Sequence, residues 1–275
     1  MLRAMSSYVF IKQRLHPGSL DRMASGGAQA IEVFAARGHF DYTDRAHVKE
    51  VADWFKSSTV QFHSMHSPLF TTNDFGRATE PPLNIIDPEK RRRIDAMDEI
   101  KRALEVAEQI PFRFLVQHVG APNESDSPRK FEDALSSIEH LRAFARQLGV
   151  TLLIENIPNE ISAPDRLMEL LRALRYPDLG VCFDAGHAYL DGTVAAAFAS
   201  LKDRICSTHL HDNKKDKDSH LWPGEGGIDW KEAVELLSSA PRSPALLMEI
   251  EGQEGVDVSR KMAETWKKLE SAGEG

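Results

Sequence analysis

Histidine and carboxylate side chains recur at short intervals in residues 208–230, which read THLHDNKKDKDSHLWPGEGGIDW. His209 and His211 come at the end of an apolar run, and Asp218 and His220 follow two residues apart. Imidazole nitrogens and carboxylate oxygens are donors that Zn, Mn, Fe and Mg accept in proteins. The spacing predicts a metal-binding loop that leads into a new helix.

Further side chains of the same kinds stand at the carboxyl ends of other predicted strands. With Asp218 and His220 they complete nine candidate metal ligands: His66, His118, Glu155, Asp184, His187, His209, Asp218, His220 and Glu249. A single strand-end histidine is more often a framework residue than a ligand. Four carboxylates and five imidazoles that meet at one place, however, require cations to offset the cost of burying them.

Three further residues, His211, His16 and Trp222, each have a functional and a structural interpretation. His211 would share a strand face with His209, but the following Asp212 indicates that a turn has begun, so His211 ranks below His209 as a ligand. His16 and Trp222 are candidate substrate-binding residues, although a loop histidine is commonly only solvated and Trp222 could equally anchor its loop.

Elements that could position these residues alternate along the whole chain. Eight β-rich runs are predicted as strands: Tyr8–Lys12, Ala30–Ala35, Val60–Ser64, Phe112–His118, Thr151–Glu155, Gly180–Asp184, Ile205–Leu210 and Ala245–Ile250. Amphipathic stretches between them predict helices at Thr43–Lys56, Pro88–Ile110, Phe131–Leu148, Ser162–Leu174, Asp229–Leu237 and Val258–Leu269. The alternation predicts an α/β protein with a single (β/α)8 barrel spanning residues 1–275, since such barrels take about 250 residues. A long connection at residues 69–87 is expected to cover the site.

Composition narrows the partners and the location of the protein. The net charge of -8 argues against a generally basic nucleic-acid-binding surface. Two cysteines, Cys182 and Cys206, fall in predicted strands and indicate no disulfide framework. Neither a secretory signal nor an apolar run long enough for a membrane span is evident, which favours a cytoplasmic protein.

Five sequence pieces resemble the xylose isomerase-like barrel superfamily, which contains sugar isomerases and epimerases as well as endonuclease IV. They are LLIENIP at 152–158, GVCFDAGHA at 180–188, HLHDN at 209–213, DSHLWPGEGGIDW at 218–230 and LLMEIEG at 246–252. The resemblance spans the chain from the second predicted strand to the eighth, and the order and spacing of these five pieces are its most specific part. The resemblance implies a TIM barrel that binds between one and three divalent ions (Zn, Mn, Fe or Mg).

Two branches of this superfamily imply different chemistry. Similarity to the isomerases and epimerases would place one ion among Glu155, Asp184, His209 and Glu249, with Glu155 and Glu249 as the catalytic acid and base that move a proton on a sugar or sugar phosphate. Similarity to endonuclease IV would add an ion at His66, His118 and Glu155 and another at His187, Asp218 and His220, a set suited to phosphodiester hydrolysis.

Departures from each branch favour the sugar enzymes. The stretch SPLF after His66 lacks the aromatic and cationic residues that endonuclease IV inserts into a duplex, and Glu32 in the second strand looks like the sugar-enzyme side. Lys214 or Lys215 stands where some ketose epimerases have an arginine, so the substrate contact differs. The sequence therefore predicts a metal-dependent sugar isomerase or epimerase, with a multinuclear phosphodiesterase as the alternative and a purely ligand-binding barrel as a weaker third reading.

Overall fold

Eight parallel strands form a nearly closed barrel in the computed structural model, which describes residues 1–71 and 82–273 and side chains as far as residue 271. The strands are β1 (Arg3–Ser6), β2 (Ala30–Phe34), β3 (Gln61–His66), β4 (Phe114–His118), β5 (Thr151–Glu155), β6 (Gly180–Asp184), β7 (Ile205–His209) and β8 (Leu246–Met248). Nearly every strand residue is buried, as expected for a parallel sheet covered on its outer face by helices.

Helices follow the strands and pack around the barrel. They are α1 (Pro17–Ser25), α2 (Arg45–Ser57), α3 (Lys90–Leu104), α4 (Pro128–Gln147), α5 (Pro164–Leu174), α6 (Ala185–Asp191), α7 (Val194–Leu201), α8 (Trp230–Ser238) and α9 (Val258–Gly273). Side-chain caps fix several of their first turns: Asp44, Ser127 and Asp229 each accept a hydrogen bond from a backbone N–H in the turn that follows. Within the described residues, no helix combines the length and apolarity needed to cross a membrane.

The strand order runs from β7 through β6, β5, β4, β3, β2 and β1 to β8, and every pair is parallel. The barrel is closed by hydrogen bonds between the end of β8 and Leu210, the residue that follows β7. The backbone N–H of Leu210 donates to the carbonyl of Leu247 at 2.8 Å, and that of Glu249 donates to the carbonyl of Leu210 at 3.2 Å. The (β/α)8 barrel predicted from the sequence is confirmed. Its geometry turns the carboxyl ends of all eight strands toward one rim.

The prediction of the first strand at residues 8–12 was wrong. Residues 8–12 contain the apolar and β-branched residues typical of a strand, yet β1 is Arg3–Ser6 and Ser7–Phe10 form a 3-10 turn. Ser6 caps this turn by accepting a hydrogen bond from the Tyr8 N–H. The local cap outweighs the β-propensity of the run, and the turn carries Tyr8 to the rim of the barrel.

Other differences are smaller. Helices α1, α6 and α7 were not predicted, and most remaining boundaries shifted by one to three residues at either end. The connection at residues 69–87 lies partly outside the described residues, which resume at residue 82. Its predicted covering role therefore stays a prediction.

Candidate metal centre

Nine predicted ligands from distant parts of the chain come together at the carboxyl rim of the barrel. Their donor atoms form three groups, and within each group the atoms lie no more than 4.8 Å apart. The groups are His66, His118 and Glu155 (group one); Glu155, Asp184, His209 and Glu249 (group two); and His187, His211, Asp218 and His220 (group three). Group three contains one residue, His211, that the sequence ranked below the others.

Group one is built from the ends of β3, β4 and β5. His66 Nε2 lies 3.3 Å from His118 Nε2, and these nitrogens lie 3.5 and 3.2 Å from Glu155 Oε2. The other nitrogen of His66 lies 2.8 Å from the backbone carbonyl of Ser67, which makes Nδ1 the protonated nitrogen and points the Nε2 lone pair at the group. The ring also stacks on Phe34 at 4.2 Å between centroids. Three donors therefore converge with their orientation fixed.

Group two surrounds His209, which is fully buried. His209 Nδ1 lies 3.2 Å from Glu155 Oε1, 3.4 Å from Glu249 Oε2 and 3.9 Å from Asp184 Oδ2. On its opposite side, Nε2 lies 3.1 and 3.2 Å from the two carboxylate oxygens of Glu32. A carboxylate that accepts from the outer nitrogen of a histidine fixes the ring and raises its basicity toward a metal. The sequence had not assigned this contact to Glu32.

Group three joins α6 to the loop between β7 and α8. Asp218 Oδ2 lies 3.1 Å from His187 Nε2 and 3.2 Å from His220 Nε2. The outer nitrogens of the two histidines lie 3.0 Å from the backbone carbonyls of Asn156 and Glu249, respectively, so in the neutral, metal-binding form of each ring the inner nitrogen carries the lone pair. The metal-binding nitrogens of both rings thereby lie beside the same carboxylate.

Several buried polar atoms in these groups have no hydrogen-bond partner among the described residues. They are both carboxylate oxygens of Glu155, Oε1 of Glu249, and the Nδ1 atoms of His209 and His211. Such atoms are costly to bury unpaired, and those of Glu155, His209 and His211 lie near side chains of the opposite kind in the same groups. A divalent cation is the group that these donors fit, because it satisfies carboxylates and neutral imidazoles together.

The pKa values of side chains in these groups are shifted by their close neighbours. Burial alone would raise the pKa of Glu155, but His209 and His118 hold that pKa well below its usual range. Burial alone would lower the pKa of His220, but Asp218 outweighs it and raises the pKa to about 9. Each shift records the same condition, a tight mixture of carboxylates and imidazoles that stabilise one another's charges.

A cavity of about 640 Å³ opens above the three groups. Its floor includes Glu155 and Glu249 together with His66 and His118 of group one and His187 and His220 of group three. Much of the described wall is apolar: Tyr8, Phe34, Leu69, Phe70, Pro82, Leu83, Ile157, Pro158 and Leu190. Lys217 is the one lysine or arginine among the described lining residues. The volume is that of a pocket for a small molecule.

A family model described as "Xylose isomerase-like TIM barrel" matches residues 20–269, which is nearly the whole chain. The chain belongs to this family. The resemblance drawn from the five sequence pieces is thereby confirmed, and the barrel described above is the fold that the family's description names.

Sequence relatives of this chain include an uncharacterized protein and a protein named as a probable endonuclease. An uncharacterized protein of Methanocaldococcus jannaschii is 26% identical over 244 residues, which cover 85% of this chain and 78% of that protein. A probable endonuclease 4 of Haloquadratum walsbyi is 25% identical over 169 residues, covering 53% of this chain and only 58% of the relative.

Solved structures agree in fold across the full length. A D-tagatose 3-epimerase-like protein superimposes with a TM-score of 0.80 at 24% identity, covering 100% of this chain and 99% of that one. A D-psicose 3-epimerase crystallised with D-fructose gives 0.77 at 15% identity, covering 98% and 97%. The IolI protein, solved with a bound zinc atom, gives 0.77 at 14% identity, covering 98% and 96%.

The two predicted substrate-binding residues lie apart from the cavity. His16 is exposed at the start of α1, and Trp222 is only 2% exposed within the hydrophobic core. Neither is among the described residues that line the cavity. The cavity therefore lends no support to the substrate role predicted for either residue. Tyr8 is a lining residue that the sequence missed, because its segment was assigned to a strand.

Proposed function

We propose that this protein is a divalent-metal-dependent isomerase or epimerase of a small sugar or sugar phosphate. The observation that carries the proposal is the position of Glu155 and Glu249. Both carboxylates are buried, both belong to residues that line the cavity, and each retains a carboxylate oxygen without a hydrogen-bond partner among the described residues. A carboxylate of this kind beside a substrate-sized cavity is suited to accept or return a proton.

The proposed metal residues are the nine predicted ones, in the groups described above, with group two as the ion site for catalysis. A bound divalent ion would supply Lewis acidity that polarises the carbonyl and hydroxyl oxygens of a ketose. The low pKa of Glu155 keeps this carboxylate ionised at neutral pH, in the form that accepts a proton from carbon. Glu249 would be the second acid–base group and return a proton to the carbon. The apolar walls of the cavity would limit the access of bulk water.

The composition of the cavity supports a small and weakly charged substrate. A duplex carries one phosphate charge for about every 1.7 Å of its axis and is normally met by several lysines and arginines. Here Lys217 is the single such residue among the described lining residues. The epimerase names of the similar solved structures, which share only the fold, agree with a sugar substrate.

Exchange of solvent deuterium into ketoses tests the proposal. The metal-loaded protein is incubated in deuterium oxide with a panel of ketohexoses, ketopentoses and their phosphates, and exchange and product are followed by NMR. We expect exchange with at least one ketose, lost by about 100-fold or more in Glu155→Gln and in Glu249→Gln. Glu251→Gln is the matched control, because Glu251 is two residues from Glu249 but exposed and paired with Lys12. Full turnover by both active-site variants would refute the acid–base assignment.

A second candidate is a multinuclear phosphodiesterase of the endonuclease IV type. Groups one and three favour it specifically, because three adjacent ion sites can neutralise charge on both the attacking and the leaving oxygen of a phosphodiester. Cleavage of an abasic oligonucleotide by the metal-loaded protein, together with no deuterium exchange across the ketose panel, would replace the first proposal with this one.

A further inference from the structure

His211 is a buried side chain that the nine predicted ligands leave out. Its ring is fully buried beside group three, with Nε2 at 3.0 Å from Asp184 Oδ2. Its Nδ1 has no hydrogen-bond partner in the part of the chain that the structure describes, and it lies 3.7 Å from Asp218 Oδ1. A buried imidazole nitrogen without a partner costs free energy, so this atom calls for a ligand.

The contact with Asp184 determines which nitrogen of His211 is free to bind. A carboxylate can only accept, so His211 Nε2 is the nitrogen that carries the proton. The neutral ring then has its lone pair on Nδ1, which faces Asp218. This is the arrangement of a metal-ligating histidine oriented by an outer carboxylate. Asp184 would thus serve group two directly and group three through His211.

The surroundings of His211 hold the ring in this orientation. A Cβ atom at Gly186 would lie 2.0 Å from His211 Cε1, so a side chain at position 186 would displace the ring. On another side the ring stacks on His220, with centroids 3.9 Å apart and planes 15° from parallel. The ring can take this place because α6 has a glycine at its second residue.

We propose that His211 is the fourth protein ligand of group three, making a closed zinc site with His187, Asp218 and His220. Three nitrogens and one oxygen make up the four donors that a zinc ion commonly takes from a protein. The ion of group three would tie α6, the end of β7 and the following loop together at the edge of the cavity. This inference rests on the proposed metal binding but is independent of whether the reaction is isomerization or phosphodiester hydrolysis.

Two substitutions at position 211 separate ligation from a merely structural role. The amide of a glutamine can reach the place of Nε2 and keep the contact with Asp184, whereas the amide of an asparagine can reach only the place of Nδ1. If His211 binds the ion, zinc affinity of group three should fall in the order wild type, His211→Asn, His211→Gln. If His211 only positions Asp184, His211→Gln should match the wild type and His211→Asn should be the weaker variant.

Metal content and coordination are the readouts. The full chain is stripped with chelator, titrated with Zn²⁺ or Co²⁺, and counted for bound ions, and tetrahedral Co²⁺ is followed by its intense visible absorption. We expect His211→Gln to lose at least about 10-fold in affinity for one ion, the loss seen even for outer partners of a metal. His140→Gln is the control, because His140 is exposed on α4.

The anchoring role has its own readout in proteolysis. Lys214, Lys215 and Lys217 are exposed in the loop, and trypsin cleaves after lysine when the loop opens. Zinc should protect this loop in the wild type and protect it less in His211→Gln. If the wild type binds no ion at all, the proposed metal dependence fails. If the wild type binds its ions and His211→Gln binds the same number with equal affinity, only the role of His211 is refuted.

Discussion

Replacing Glu32 by glutamine tests whether a carboxylate outside the ligand set controls metal binding. Glu32 is fully buried on β2, where it accepts hydrogen bonds from His209 Nε2 and, at 2.8 Å, from the Ser64 hydroxyl. Burial raises its pKa, but His209 outweighs this and holds the pKa below the usual value, so Glu32 is ionised. Glutamine keeps the shape and one acceptor oxygen for His209, and it replaces the charge and the second acceptor oxygen by a neutral NH₂ group.

The expected size of the effect follows from this contact. Hydrogen bonds to charged groups contribute about 1.5 to 3 kcal/mol, and neutral ones about 0.5 to 1.5 kcal/mol. Loss of the charge therefore removes about 1 to 2 kcal/mol of support for His209 as a ligand, or about 5- to 30-fold in metal affinity at group two. The effect should be confined to the ion that His209 binds.

Competition with a chelating dye measures the affinity directly in the wild type and in Glu32→Gln. Glu99→Gln is the matched control, since Glu99 is also a buried carboxylate but is held by Tyr42 and Arg37 away from the three groups. An unchanged affinity in Glu32→Gln would refute the argument. An equal loss in both variants would also refute it, because the loss would then come from general destabilisation.

Two further predictions concern stability in the presence of a chelator. One carboxylate oxygen of Asp212 accepts hydrogen bonds from the Gly224 N–H and the Trp230 Nε1–H. The NH₂ group of an asparagine cannot accept them, so Asp212→Asn should lower the free energy of unfolding by about 3 kcal/mol in urea titrations. An unchanged free energy of unfolding would contradict this prediction. Burial of His39 lowers its pKa from 6.5 to about 4, so the unfolded state binds more protons in that window and stability falls as pH drops through it. Between pH 7 and 5 the wild type should lose about 2 kcal/mol more than His39→Gln in the same titrations, and equal losses would contradict the shift.

The barrel and most of the metal centre were accessible to sequence reasoning because their signals are local. Strands β5 and β6 were predicted to the residue, since each is an apolar run that ends at a carboxylate. Strand-end position alone then collected the side chains of groups one and two, because parallel strands share one rim. The exact ligand roles stay predictions, but their convergence is a property of the fold.

The misses came from contacts that no local pattern encodes. The turn residues after His211 argued against it as a ligand, whereas its place beside Asp218 depends on a glycine in α6, 25 residues earlier in the chain. The pairing of Glu32 with His209 joins residues 177 apart. The strand assigned to residues 8–12 failed because a single serine cap outweighed a β-prone composition.

Shared carboxylates make the three groups one unit rather than three separate sites. Glu155 faces group one with Oε2 and group two with Oε1, and Asp184 faces group two while holding His211 of group three. If the proposed ions bind, an ion in one group would orient the ligands of its neighbour, and occupancies should be cooperative. The number of bound ions would consequently depend on this sharing of ligands as well as on which of the two proposed reactions the protein catalyses. What the cavity walls can hold is the better test of the chemistry. Walls rich in apolar side chains, beside three glutamate oxygens that have no hydrogen-bond partner among the described residues, support the proposed small sugar over a nucleic acid.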